Sequence, residues 1–142
     1  MKKWLALLAA LALALSLVAC GGGTKADGVY TAEADDAYVQ GNGYGWRDTL
    51  VLTYKDGKVV DAKFDAYDAD GKAKSGPGNY EMEPDPVVWI PQLSENIKNA
   101  TDADSIDGIA GASIASGNAR KLYEAIEKSG KVNEIIDVDL SS

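Results

Sequence analysis

The sequence predicts a small α+β domain, an antiparallel sheet with a central hairpin and two helices packed on it. Three observations lead there. Residues 46–54 and 58–66 alternate apolar and polar side chains with period two, the spacing of half-buried strands. Asp56-Gly57 stands between these runs, a dipeptide suited to the positive φ angles of a two-residue hairpin turn. Ala119, Leu122, Tyr123 and Ile126 recur at i, i+3, i+4 and i+7, the apolar stripe of an amphipathic helix.

Taken in order, residues 28–33 (GVYTAE) predict a first strand, with Val29 and Thr31 on one face and Tyr30 on the other. Residues 35–45 are polar and glycine-rich and read as a loop. In the hairpin, Trp46, Leu50, Leu52 and Tyr54 share one face of the first strand, while Arg47, Thr49 and Thr53 occupy the other. Val60, Ala62, Phe64 and Ala66 share one face of the second strand, against Asp61, Lys63 and Asp65. Residues 67–85, rich in Asp, Gly and Pro, form a long loop. Within it Asp68-Ala69-Asp70-Gly71 suggests a calcium loop, but Ala66 stands where an oxygen ligand is needed and Pro77 where the closing Glu belongs. A turn is the expectation there, and no metal site. A short helix is expected over residues 91–99, with Pro91 in its first turn and residues 87–90 as an apolar lead-in. Ser116 or Asn118 caps a second helix that runs to Ser129, and Gly130 stops it. Residues 134–140 alternate again and return as a last strand.

The first residues carry a different message. Met1-Lys2-Lys3 is a basic start, followed by a Leu/Ala-rich run and then Ala19-Cys20. This is the layout of an export signal, and the run is short for a membrane-spanning helix, which needs about 20 residues. Leu17-Val18-Ala19-Cys20 resembles the lipobox of bacterial lipoproteins, which directs cleavage before a lipidated cysteine. Cys20 is the single cysteine of the chain, so no internal disulfide is available to it and lipidation gives it a role. The expected organisation is a signal over residues 1–19, a lipidated Cys20 and flexible tether over 20–26, and one domain over 27–142. Loss of Lys2 and Lys3 with the signal takes the formal charge from −8 to −10. No basic cluster remains, so nucleic acid is not an expected partner.

Chemistry is scarce. The chain has no histidine and no cysteine pair, which excludes Ser-His-Asp and Cys-His catalysis, CxxCH haem attachment and iron–sulfur spacing. What stands out is Asp107-Gly108-Ile109-Ala110-Gly111-Ala112-Ser113, a run of small residues ending in a hydroxyl just before a helix. Helix N-termini favour phosphate, and small neighbours leave Ser113 open to a bulky group. A plain loop is the alternative.

Asp107, Gly111, Ala112 and Ser113 match the flavinylation motif of FMN-binding domains, which this run resembles. Such domains occur in the G subunit of Rnf complexes, the C subunit of sodium-pumping NADH:quinone reductases and small bacterial lipoproteins. Ala110 departs from the family, which usually carries a hydroxyl there, and Ser113 replaces the commoner Thr. The similarity extends to Asp27-Gly28-Val29-Tyr30-Thr31-Ala32-Glu33, to Gly45-Trp46-Arg47-Asp48 and to the hairpin from Asp56. The resemblance implies that a flavin transferase, using FAD and magnesium, places FMN on Ser113 through a phosphoester, with Asp107, Gly111 and Ala112 as recognition context. It also implies an electron carrier on the outer face of the cell membrane, between a membrane quinol or dehydrogenase donor and an extracellular acceptor or reductase. Tyr44, Trp46, Tyr80 and Trp89 are available to wall the flavin, Trp46 foremost, although aromatics in a small domain also serve as core. No catalytic acid or base is required, because the cofactor carries the redox chemistry. Two other readings fit the same residues: a surface lipoprotein that binds a small ligand or partner without covalent flavin, and a structural surface domain.

Overall fold

The computed structural model describes residues 25–141; the expected signal, Cys20 and tether residues 21–24 lie outside the described residues. Four strands and three helices follow in the order β1 (Gly28–Ala34), α1 (Asp36–Gln40), β2 (Arg47–Lys55), β3 (Lys58–Tyr67), α2 (Pro86–Lys98), α3 (Ser113–Ser129) and β4 (Ile135–Val138). The sheet order is β3-β2-β1-β4. The α+β class and the β2–β3 hairpin are as expected, with the hairpin at one edge of the sheet because β3 is the outermost strand. Asp56 and Gly57 both take positive φ, 53° and 77°, so the β2–β3 turn has the backbone its sequence demands.

The core lies between the sheet and α2 and α3. Tyr30, Ala32, Leu50, Leu52 and Phe64 meet Trp89, Leu93 and Ile97 of α2 and the Ala119, Leu122, Tyr123 and Ile126 stripe of α3. β1, β2 and β3 are antiparallel neighbours, whereas β4 pairs with β1 in parallel. The reason is the path of α3. It carries the chain back towards the start of β1, where the Asn133 N–H donates to the Val29 carbonyl, so β4 must run alongside β1 in the same direction. Among the described residues, no helix is long and apolar enough to cross a membrane.

Several local details differ from expectation. Val60 is 46% exposed rather than inward, because the register slips between Thr53 and Tyr54: Thr53 faces Asp61 and Tyr54 faces Val59. The extra residue turns Val60 out, and Val59 packs against the core instead. Residues 35–45 are not all loop. The Asp35 carboxylate accepts from the Tyr38 N–H at 2.9 Å and caps α1, which buries Tyr38. Helix α2 begins five residues before the expected start, since Asp85 caps it through the Val87 N–H and Pro86 occupies its first position. Helix α3 begins at Ser113, with Ser116 and Asn118 buried inside it rather than capping it. Ser113 therefore ends the small-residue run as the first residue of the helix.

The segment after β3 folds back along that strand instead of wandering. Tyr67 and Ala73 form a bridge, the Lys74 N–H donates to the Ala66 carbonyl, and Ser75 Oγ donates to Asp65 Oδ2 at 2.5 Å. Asp65, expected on the outward face, is thus only 4% exposed. This return places Lys74 and Tyr80 at the end of the sheet where β1 finishes and β2 begins.

Candidate functional site

The small-residue run is held, not loose. The Ile109 N–H donates to Ser116 Oγ at 2.9 Å, and that hydroxyl donates to the Ala112 carbonyl at 2.8 Å. Arg120 Nη2 donates to the Ile106 carbonyl at 2.9 Å, and Asn96 Nδ2 donates to the Asp107 carbonyl at 3.0 Å. Gly111 takes φ +84°, and a Cβ there would lie 2.6 Å from Pro84 Cδ. Both the backbone angle and the neighbouring ring therefore exclude larger residues at this position. The following Ala112 is buried, and the exposed Ser113 opens α3 with no side-chain cap on that end. First-turn N–H groups of a helix have no carbonyl partner within it, so they and the helix dipole favour an anion beside Ser113.

Ser113 borders a pocket of about 280 Å3, close to the lower end of the usual range for small-molecule sites. Its walls are aromatic. Trp46 and Tyr80 meet edge to face with centroids 5.7 Å apart, and Lys74 Nζ lies 4.4 Å from the Tyr80 ring centre and 5.2 Å from that of Trp46. Trp89 and Met82 line it further in, and Tyr44, with φ 50° and 88% exposure, stands at its rim. The Trp89 Nε1–H is buried and has no hydrogen-bond partner, an unsatisfied donor beside an open cavity.

Beneath these walls is a polar network that spans three elements. Asn118 Nδ2 donates to Asp48 Oδ2 and to Tyr38 Oη, each at 2.8 Å. Asp48 is 6% exposed on the inward face of β2, and burial pushes its carboxyl above the ordinary range, with the Asn118 hydrogen bond and the Lys74 charge pulling the other way. Burial likewise raises the Tyr38 phenol, with the Asp48 charge adding to it. Burial lowers the Lys74 ammonium, and the charges of Asp48 and Asp65 oppose that.

Of the residues singled out by sequence, Trp46, Gly111, Ala112 and Ser113 converge on this one pocket, together with Tyr44, Tyr80 and Trp89. Asp107 does not line it: its side chain is exposed, and its carbonyl is tied to α2 through Asn96. Cys20 lies outside the described residues. Lys74 and Tyr38 escaped sequence reasoning, Asn118 was expected only as a helix cap, and Asp48 entered only as part of the Gly45-Trp46-Arg47-Asp48 resemblance. The signal that could have found Asp48 is a carboxylate in register with Leu50, Leu52 and Tyr54 on the apolar face of a strand. Among the described residues no group of three or more His, Cys, Asp or Glu side chains could hold a metal ion.

A second cavity, of about 600 Å3, lies at the opposite end of the sheet, lined by Lys25, Tyr54, Lys58, Thr101, Tyr123 and Glu127. The described chain enters the fold there: Lys25 Nζ donates to the Gly130 carbonyl just beyond α3. Helix α3 separates the two ends, and its 17 residues span about 25 Å.

No protein-family model matches the chain. It is similar to the 15 kDa lipoprotein of Treponema pallidum (strain Nichols), at 27% identity over 131 residues that cover 88% of this chain and 90% of that protein. Its fold is similar to the crystal structure of the CPE2226 protein from Clostridium perfringens, with a TM-score of 0.69 and 27% identity over 80% of this chain and 96% of that one. Both likenesses run through nearly the whole of the other protein.

Proposed function

We propose that this chain is a lipid-anchored surface carrier that holds FMN as a phosphoester on Ser113 and relays electrons outside the cytoplasmic membrane. The observation that carries the proposal is the position of the Ser113 hydroxyl, at a helix start on the edge of an aromatic pocket. The motif resemblance had singled out that hydroxyl without reference to any pocket. The anchor is supported by the basic, apolar and Cys20-terminated leader and by the name of the Treponema pallidum relative as a lipoprotein.

The residues present fit the group. Trp46, Tyr80 and Trp89 supply aromatic walls for a planar ring, and the unpartnered Trp89 Nε1–H suits a ring with acceptor atoms at its edge. The start of α3 suits a phosphate. Bound FMN would supply the redox chemistry, and the protein would position it and limit its exposure to water. In the attachment, Ser113 Oγ forms the bond to the FMN phosphorus of FAD, the hydroxyl gives up its proton, and AMP leaves. A flavin transferase catalyses that exchange, with Asp107, Gly111 and Ala112 as its recognition context. The exposed Asp107 side chain stands away from the pocket lining and suits contact with the transferase more than with the flavin. The partners in electron transfer are a membrane quinol or dehydrogenase as donor and an extracellular acceptor or reductase.

A second reading is favoured by one feature. Ala110 departs from the flavinylation motif, and a ligand-binding lipoprotein without attached flavin would use the same walls. Coexpression with a flavin transferase separates the two. Flavin fluorescence that survives a denaturing gel in the parent chain and vanishes in Ser113→Ala is the expected result. No fluorescence in either lane overturns attachment, and fluorescence in both moves it to another residue.

A further inference from the structure

We infer that Lys74 is the counter-charge of this pocket and makes it select a planar ligand that carries a phosphate over the same ring without one. The inference rests on the flavin reading for the identity of the ring.

Lys74 is an unusual neighbour for such walls. Its ammonium rests on the faces of Tyr80 and Trp46, which attract the charge but accept none of its three N–H donors in an ordinary hydrogen bond. Among the described residues, no carboxylate oxygen lies within 4.0 Å of Lys74 Nζ. The two carboxylates that influence it are already engaged. Asp48 accepts from Asn118, and Asp65 accepts from Ser75 Oγ and from the Ala66 and Ser75 N–H groups. Burial also raises the Asp48 carboxyl above the ordinary carboxylate range. Lys74 therefore brings a partly buried positive charge with unused donors to a cavity that the dipole-positive start of α3 also lines. Two positive features on one small aromatic pocket favour an anion within it. A phosphate that meets Lys74 replaces water with a charge-assisted hydrogen bond in a partly desolvated setting, where such contacts are strongest.

The test uses the full chain carrying Ser113→Ala, so that no covalent bond forms, in three versions: Lys74 retained, Lys74→Met and Lys74→Arg. Each is titrated with free FMN and with riboflavin, which share the ring and differ in the phosphate. Binding is followed by quenching of flavin fluorescence. With Lys74 retained, FMN should bind about tenfold more tightly than riboflavin, the scale of one hydrogen bond to a charged group. Lys74→Met should bring the ratio close to one while riboflavin binding stays within about threefold, which reports that the walls are intact. Lys74→Arg should keep the preference for FMN. Equal binding of FMN and riboflavin with Lys74 present, or an unchanged preference in Lys74→Met, overturns the inference and leaves the flavin site standing. Binding of neither flavin at millimolar concentration overturns both.

Discussion

Asn118 Nδ2 donates to Asp48 Oδ2 across 2.8 Å, joining the second residue of β2 to the second turn of α3 over 70 positions of sequence. The same amide reaches Tyr38 Oη, so one side chain fixes α1, β2 and α3 to each other directly under the pocket. Asn118→Ala leaves a buried carboxylate and a buried phenol without that donor. We expect a loss of about 2–4 kcal/mol, read by urea denaturation, with accompanying loss of flavin binding.

Asp48 makes stability depend on pH with a definite sign. Its carboxyl is raised in the folded chain, so between the unfolded and the raised folded value the folded state holds a proton that the unfolded state has released. Stability from this group is present at pH below the ordinary carboxylate range and is lost as pH rises through the raised folded value. Asp48→Asn keeps an acceptor for Asn118 and removes the charge. It should raise Tm at pH 7, by on the order of 1 kcal/mol in stability, and change little below pH 4. Melting curves from pH 4 to 8 check this; an equal effect at every pH would show that the charge is not responsible.

Gly111→Ala should destabilise by about 1–3 kcal/mol, because φ +84° is unfavourable for alanine and the new Cβ meets the Pro84 ring. Gly108→Ala is the control in the same run. There the close neighbour is the end of the Arg120 side chain at 3.1 Å, which can shift, so the effect should be smaller. Thermal denaturation of the two variants side by side measures the difference.

Trp89→Phe removes the unpartnered N–H and leaves an aromatic wall. Relief of an unsatisfied donor, about 1–3 kcal/mol, offsets the packing lost with the larger ring, so Tm should move by only a few degrees. Flavin affinity should fall severalfold, if the indole donor serves the ligand. A large Tm drop with unchanged affinity would assign Trp89 to the core alone.

On the proposed lipoprotein reading, which removes residues 1–19 and Trp4 with them, the tryptophans that remain are Trp46 and Trp89, and both line the pocket. Tryptophan emission therefore reports this site. Chain entry at Lys25 lies at the far end of α3 from Ser113, and the five steps from Cys20 to Lys25 reach at most about 17 Å. For the lipidated chain on vesicles, acrylamide should quench emission as it does for the soluble domain, and quenchers within the lipid should have little effect. Strong quenching from the lipid would place the pocket against the membrane.

Much of the scaffold was legible because its signals are local. Period two over 46–54 and 58–66, with Asp56-Gly57 between them, is enough to define a hairpin, since each side chain's face follows from its position along the strand. The stripe from Ala119 to Ile126 follows in the same way from helical spacing. The small-residue run pointed to Ser113 through its motif, and the required Gly111 is consistent with a constrained backbone there.

Residues brought together by the return of the chain were not legible. Val60 turned outward because a bulge belongs to the pairing of two strands and leaves no mark in either strand's alternation. β4 runs parallel to β1 because α3 had already carried the chain to the other end of the sheet. Lys74 and Tyr80 come from a segment that reads as plain loop, and they reach Trp46 only because that segment folds back along β3. The sequence by itself determined the hairpin, the apolar stripe and the candidate hydroxyl, each through spacing within one element. Only the tertiary structure decided that this hydroxyl would border an aromatic pocket with a cation on one wall and a buried Asp48–Asn118 contact below. Those contacts join distant segments, and long-range backbone pairing, not local side-chain pattern, sets which distant segments meet.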